Sequence, residues 1–222
     1  MTLASRSGGL VARARNGLAA RARDAGVRLG VIRYRPRWAL SAKDWDREYS
    51  RGVLEYYGEL RELGRYSALV GYVRFLGERP TILDIGCGIG LLRSRLPDED
   101  VGRFVGLDPS EVAVEQARRA GYADSDFHVG DGPNAELGSF DIVVCNEVLY
   151  YVDDLGALFD RIASALKPGG HVLTSIFRHP GDVALHRALD RYFERVDAVD
   201  VRSHSGPRNG WRVACYRLAT AG

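Results

Sequence analysis

Apolar and polar positions along the chain fall into three regimes. From residue 81 onward, short apolar runs alternate with stretches of helical period. Strands are predicted at 81–85, 103–107, 126–129, 140–145 and 171–177, and helices at 91–96, 111–120 and 155–166. Strands separated by helices of this length imply right-handed crossovers and a parallel sheet covered on both faces. Lys167-Pro168-Gly169-Gly170 predicts a turn between a helix and a strand. The end of the chain differs. A helix through about Tyr192 precedes strands at 195–202 and 211–218, joined by a Ser-Gly-Pro-Arg-Asn-Gly loop, which predicts a closing antiparallel hairpin.

Upstream, Leu54, Tyr57, Leu60 and Leu63, then Leu69, Tyr72, Val73 and Leu76, recur at helical spacing and predict two helices before Pro80. Aromatic residues are dense from Tyr34 to Phe75. They suit core packing, or an aromatic cover over a small-molecule site. In the first 40 residues, small apolar side chains from Leu3 to Leu29 share a helical face beside a stripe of Arg6, Arg13, Arg21 and Arg28.

Charge sharpens that division. The 222 residues carry a net charge of +2, but residues 1–40 hold nine arginines against Asp24 alone, which is +8, and the remainder carries −6. Such an arm suits a solvated helix, a membrane-surface helix, an organelle transit peptide or a nucleic-acid contact. Interleaved aromatics that would favour nucleic acid are missing, and a membrane surface is the partner the arm could reach. No run of 18 apolar residues exists, and Cys87, Cys145 and Cys215 are too few and too dispersed for a disulfide framework or a zinc cluster. A cytoplasmic location is expected. The chain divides into an arm at 1–40, an aromatic-rich helical cover at 41–80 and a core at 81–222.

In an open α/β sheet the ligand lies beyond the carboxyl ends of the strands, where strand order reverses. The first strand ends in Asp84-Ile85-Gly86-Cys87-Gly88-Ile89-Gly90, whose alternate glycines let the backbone approach a ligand. The second ends at Asp108, a carboxylate able to accept both hydroxyls of a ribose. The third ends in Gly130-Asp131-Gly132, where an acid can meet the exocyclic amine of a purine. The fourth ends in Asn146-Glu147 at the floor of the crevice. A dinucleotide fingerprint would need a glycine at position 91, which is leucine, so the loop lacks the usual pyrophosphate seat.

These residues resemble the class I S-adenosylmethionine-dependent methyltransferases over roughly residues 45–218. The carrying segments are Ile82–Gly90, Val105–Ser110, His128–Asp131, Phe140–Asn146 and Leu166–Gly170, in family order. The resemblance implies a Rossmann-like sheet of seven strands with helices on both faces and the last strand antiparallel. It implies S-adenosyl-L-methionine as cofactor. Gly86 and Gly88 would meet its methionine part, Asp84 its amino end, Asp108 the ribose and Asp131 the adenine, with Cys87, Pro109, Gly132 and Asn146 in the same cradle. Arg65 stands where ubiquinone-type O-methyltransferases carry an arginine for the cofactor carboxylate; a helix-surface arginine is the alternative. Tyr150 and Tyr151 depart from the family's His-bearing version of the segment after the fourth strand, and there the chain resembles nodulation-type N-methyltransferases of amino sugars.

For chemistry, Glu147 is the best-placed carboxylate to contact an acceptor, or else pairs with an arginine in the rim. Tyr150 could line the acceptor pocket, although core packing is expected for one of the two tyrosines. His179 is the first choice of base among His128, His179, His186 and His204. No His/Asp/Glu trio has metal-ligand spacing. The leading expectation is methyl transfer to an oxygen or nitrogen of a small molecule, such as a sugar or natural product. The alternatives are methylation of RNA or another macromolecule, and a cofactor-binding partner protein without catalysis; a nicotinamide oxidoreductase serves as the control.

Overall fold

The structure is a computed structural model that describes residues 40–52, 54–179, 182–204 and 210–218. The expectations for the basic arm concern residues that, Leu40 apart, lie outside the described ones. Five α-helices are described: α1 (Ala42–Ser50), α2 (Leu60–Leu76), α3 (Glu111–Arg119), α4 (Leu155–Ala165) and α5 (Asp182–Tyr192). They surround seven strands: β1 (Thr81–Ile85), β2 (Arg103–Asp108), β3 (Ser125–Val129), β4 (Phe140–Asn146), β5 (Leu166–Phe177), β6 (Phe193–Arg202) and β7 (Gly210–Leu218).

The strands form one sheet in the order β3-β2-β1-β4-β5-β7-β6. β7 runs antiparallel to both of its neighbours, β5 and β6, while β1 to β5 pair in parallel. The chain steps outward from β1 to β2 and β3, then returns to place β4 on the other side of β1. The carboxyl ends of β1 and β4 therefore flank the topological switch point, where such sheets take their ligands.

Alternation along the strands divides the core between two faces. Leu83, Ile85, Val143 and Cys145 pack with Leu158, Phe159 and Ile162 of α4 and with Leu185 and Leu189 of α5. On the other face Ile82, Phe104, Ile142 and Val144 pack with Tyr66, Leu69 and Val73 of α2 and with Val114 and Ala117 of α3. These strand positions are fully or almost fully buried, as burial on both faces of a parallel sheet requires.

Three expectations are corrected in detail. Residues 54–63 do not form a helix of their own. Glu55–Gly58 is a single 3-10 turn, Glu59 is extended at the start of α2, and Leu60 and Leu63 are 83% and 46% exposed. Their apolar spacing marks no buried face. The helix predicted at 91–96 is only a 3-10 turn, Arg93–Arg95. The turn at 167–170 is absorbed into β5 as an irregularity, with Gly169 at φ 80° and the register against β4 shifting between Phe140 and Ile142. Among the described residues, no helix is long and apolar enough to cross a membrane.

Candidate functional site

A cavity of about 620 Å³ opens at the switch point, within the range of small-molecule sites. The β1 end supplies its glycine loop. Gly86 and Gly88 have φ of 74° and 53°, and the N–H groups of Gly86 and Cys87 both donate to Leu107 O of β2, at 2.7 and 2.9 Å. A Cβ on Gly86 would stand 2.7 Å from Val148 Cγ2, and one on Gly88 2.7 Å from the Tyr49 hydroxyl. Only glycine fits this loop in both conformation and space.

Two carboxylates lie against the loop. Asp108, 5% exposed at the end of β2, accepts from Gly88 N–H with one oxygen and from Ser110 N–H with the other, each at 2.9 Å. Burial pushes its pKa up to about 6 despite those two bonds, and the nearby Asp46 adds to the rise. Asp84 on β1 is 1% exposed, and its Oδ1 has no hydrogen-bond partner among the described residues. Burial first, and then the Asp108 charge, push its pKa up to about 8, against an opposing pull from Arg65. A buried carboxylate pair with an unpartnered oxygen on a cavity wall is suited to a cationic ligand.

α1 closes the opposite side. Ser41 caps the helix through a capping box with Asp44. Asp46 reaches the start of α3, where its Oδ1 accepts from Ser110 Oγ at 2.7 Å and from Val112 N–H at 3.2 Å. That attachment fixes Trp45 and Tyr49 over the cavity, with the Tyr49 hydroxyl against Gly88.

At the end of β4 lies a second polar cluster. Glu147 has φ 59°, a left-handed conformation that costs a non-glycine residue about 1–2 kcal/mol. Its N–H donates to Ser175 O at 2.9 Å; its carboxylate accepts from the Tyr150 hydroxyl at 2.6 Å and from Ser175 Oγ at 3.3 Å. Burial raises its pKa to about 7, while Arg65 and the Tyr150 hydroxyl act in the opposite direction. Arg65 itself is 1% exposed. It donates to Glu62 at 2.8 Å and to Asn146 Oδ1, and lies over the rings of Tyr66 at 4.2 Å and Tyr57 at 5.4 Å. Tyr151 meets Trp45 edge to face at 4.8 Å.

Of the expected site residues, Arg65, Asp84, Gly86, Cys87, Gly88, Asp108, Pro109, Asp131, Asn146 and Glu147 line this one cavity. Asp131 is largely exposed and lies 3.3 Å from Arg161 of α4. Gly132, Tyr150 and His179 are not among the lining residues. A Cβ at Gly132 would stand 2.8 Å from the Arg161 guanidinium, so this glycine makes room for Arg161. Tyr150 is 7% exposed and joins the core, with only its hydroxyl turned to Glu147, whereas Tyr151 faces the cavity. His179 packs behind Tyr150, ring centroids 6.0 Å apart. Arg65 is a buried member of the site and not a helix-surface arginine. Trp45, Asp46, Tyr49 and Arg161 were not singled out from the sequence as site residues; the density of aromatics between Tyr34 and Phe75 was the available signal for the first and third.

The cradle fits an adenosyl ligand with an amino group: a glycine loop without side chains, a ribose-height carboxylate, and the open Asp84 oxygen. Among the described residues, no group of three His, Cys, Asp or Glu side chains could hold a metal ion.

Comparison with known proteins agrees. The chain is 33% identical over 146 residues to the ubiquinone biosynthesis O-methyltransferase of Pectobacterium carotovorum subsp. carotovorum (strain PC1), a match covering 62% of this chain and 57% of that protein. The chain thus spans little more than half the length of the curated relative it matches. Among solved structures, the N-methyltransferase NodS of Bradyrhizobium japonicum WM9, bound to S-adenosyl-L-homocysteine, superposes with a TM-score of 0.66 at 20% identity, covering 78% of this chain and 98% of that one. The [4+2]-cyclase SpnF superposes with a TM-score of 0.67 at 17% identity, covering 85% and 100%. These two likenesses establish the fold, and SpnF shows that the fold serves more than one chemistry. The sequence model of the methyltransferase domain matches residues 46–212, well over half of the chain. The chain belongs to the methyltransferase-domain family.

Proposed function

We propose that this protein is a methyltransferase that moves a methyl group from S-adenosyl-L-methionine to an oxygen or nitrogen of a small molecule such as a sugar or natural product. One observation carries the reading: a single cavity joins the Asp84–Asp108 glycine-loop cradle to the Glu147 cluster. The bound cofactor supplies a methyl group activated by a positively charged sulfur. Everything else falls to the chain's own side chains.

Asp84 is suited to the amino end of the cofactor, Gly86, Cys87 and Gly88 to its methionine part, and Asp108 and Pro109 to its ribose. Asp131 is suited to the adenine, and Arg65 with Asn146 to the carboxylate end. Because the reaction consumes charge, excluding water favours it, and Trp45, Tyr49, Tyr57 and Tyr151 are the side chains placed to do so. Residues 41–80 thereby act as the cover. Alignment of acceptor and methyl supplies most of the acceleration. Glu147, with its pKa near 7, is placed to take the acceptor's proton.

The test is incubation of the full chain with S-adenosyl-L-methionine and panels of small alcohols, phenols, amines and RNA, followed by mass spectrometry. Products one methylene heavier among the small molecules are expected, with S-adenosyl-L-homocysteine formed in equal amount. Methylation of RNA alone would refute the small-molecule reading, and no transfer alongside tight cofactor binding would favour a non-catalytic role.

A further inference from the structure

The acceptor end of the cavity has a charge pattern that neither the fold nor the cofactor requires. Glu147 has neutral hydrogen-bond partners, the Tyr150 and Ser175 hydroxyls, and no Lys or Arg of the described residues comes within 4.0 Å of its carboxylate. Arg65, the cation at this depth, is already paired with Glu62 at 2.8 Å and bonded to Asn146. Glu55 and Asp153 also line the cavity, nearer the rim, and neither has an ion-pair partner among the described residues. Between rim and floor stand aromatic side chains. Trp45 and Tyr151 meet at 4.8 Å, and Tyr57 lines the same cavity.

We propose that the acceptor is a small molecule bearing a protonated primary or secondary amine, held by the Glu147 carboxylate and the Trp45, Tyr57 and Tyr151 rings. This rests on the methyltransferase reading and names the substrate class of the same site. An ammonium can pair directly with the Glu147 carboxylate, on which Arg65 acts only from beyond 4.0 Å, and it is attracted to aromatic faces. A neutral hydroxyl does neither. A phosphate or carboxylate on the acceptor nitrogen's side would be repelled by Glu55, Glu147 and Asp153. The cofactor's amino group has a separate partner, because Asp84 lies at the glycine-loop end.

Glu147 then has two successive tasks. It first orients the ammonium, and then accepts one of its protons, leaving a lone pair on nitrogen. That pair forms the new N–CH3 bond as the S–CH3 bond of the donor breaks, and the electrons of the broken bond stay on sulfur. The product leaves as a methylated ammonium, and the proton on Glu147 passes to solvent. No oxidant or other co-reactant is needed.

The experiment compares benzylamine with benzyl alcohol, matched in ring and length, by calorimetric titration into the full chain saturated with S-adenosyl-L-homocysteine. Benzylamine should bind at least about tenfold more tightly, the ratio expected of one compensated carboxylate plus aromatic contact. In Glu147→Gln the preference should fall to about twofold or less, with the homocysteine product still bound. In Trp45→Leu, farther from the buried network, it should fall by about threefold or more, so the proposal remains testable where Glu147→Gln does not fold. Turnover provides the second readout: S-adenosyl-L-homocysteine should form with amines and not with their matched alcohols or phenols. Equal binding of the two probes by the wild type, or methylation of hydroxyls in preference to amines, would overturn the inference and leave the methyltransferase reading intact. Failure of the wild type to bind S-adenosyl-L-homocysteine would instead strike the methyltransferase reading itself.

Discussion

Replacing Asp84 by asparagine separates what the site costs the fold from what it gives the ligand. Asp84 is 1% exposed, and its pKa is raised from 3.8 to about 8. Below the ordinary value of 3.8 the carboxyl is protonated in folded and unfolded chains alike, so there the variant should differ from the wild type only by the cost of its amide. As pH rises, the unfolded chain ionises first while the buried group resists. The wild type therefore loses stability across the window from 3.8 to about 8. At pH 7 the ceiling on that loss is about 4 kcal/mol, at about 1.36 kcal/mol per unit. The asparagine amide brings N–H groups that find no assured partner, at a cost of about 1–3 kcal/mol. A net gain of about 2 kcal/mol is expected, raising the midpoint of thermal unfolding by roughly 4–8 °C for a domain of this size. The same substitution removes the counter-charge proposed for the cofactor's amino group, so S-adenosyl-L-homocysteine should no longer raise the midpoint. Scanning calorimetry of the ligand-free variant at pH 4 and pH 7, with and without that ligand, checks both halves. A variant less stable than the wild type at pH 7, or a stability difference unchanged between the two pH values, would refute the reasoning.

Further predictions concern the fold, the loop and the Glu147 cluster. Phe159 is fully buried on α4, and Phe159→Ala should cost about 3–5 kcal/mol in denaturant unfolding while the cofactor site of the folded fraction still binds. Gly88→Ala places a Cβ 2.7 Å from the Tyr49 hydroxyl at a φ of 53°; isothermal titration should show at least about tenfold weaker binding of S-adenosyl-L-homocysteine. Tyr150→Phe deletes a 2.6 Å bond that lowers the Glu147 pKa, so that pKa should rise further above about 7. The acidic limb of the pH–rate profile should then move to higher pH by about one unit, and a profile that does not move would exclude Glu147 as the titrating base.

Much of the fold and the glycine-loop half of the cavity lining could be read from the sequence, because each depends on short-range patterns. The strands from β1 to β5 are apolar runs punctuated by glycine or acid. Their carboxyl ends carry Asp84, Gly86, Asp108, Asp131 and Asn146, which the parallel sheet brings to one edge whatever the loops do. The rest of the cavity depends on contacts distant in sequence. Arg65 is indistinguishable from a surface arginine until α2 packs on the sheet and buries it against Trp211 and Asn146, 81 residues away. The capping of α3 by Asp46 spans 64 residues. The same limit explains Leu60 and Leu63, whose spacing is helical although both stay exposed. Tyr150 and Tyr151 are adjacent and chemically alike; only the 3-10 turn at Leu149–Tyr151 sends one into the core and the other to the cavity.

The central claim is that the cradle at the switch point binds S-adenosyl-L-methionine and its product. Thermal unfolding of the full chain with S-adenosyl-L-homocysteine and with NAD in parallel tests it most directly. At 100-fold above the dissociation constant, the former should add about 2.7 kcal/mol to the stability of the wild type and nothing to that of Asp108→Ala. Stabilisation by NAD alone, or by S-adenosyl-L-homocysteine to the same extent in Asp108→Ala, would contradict it.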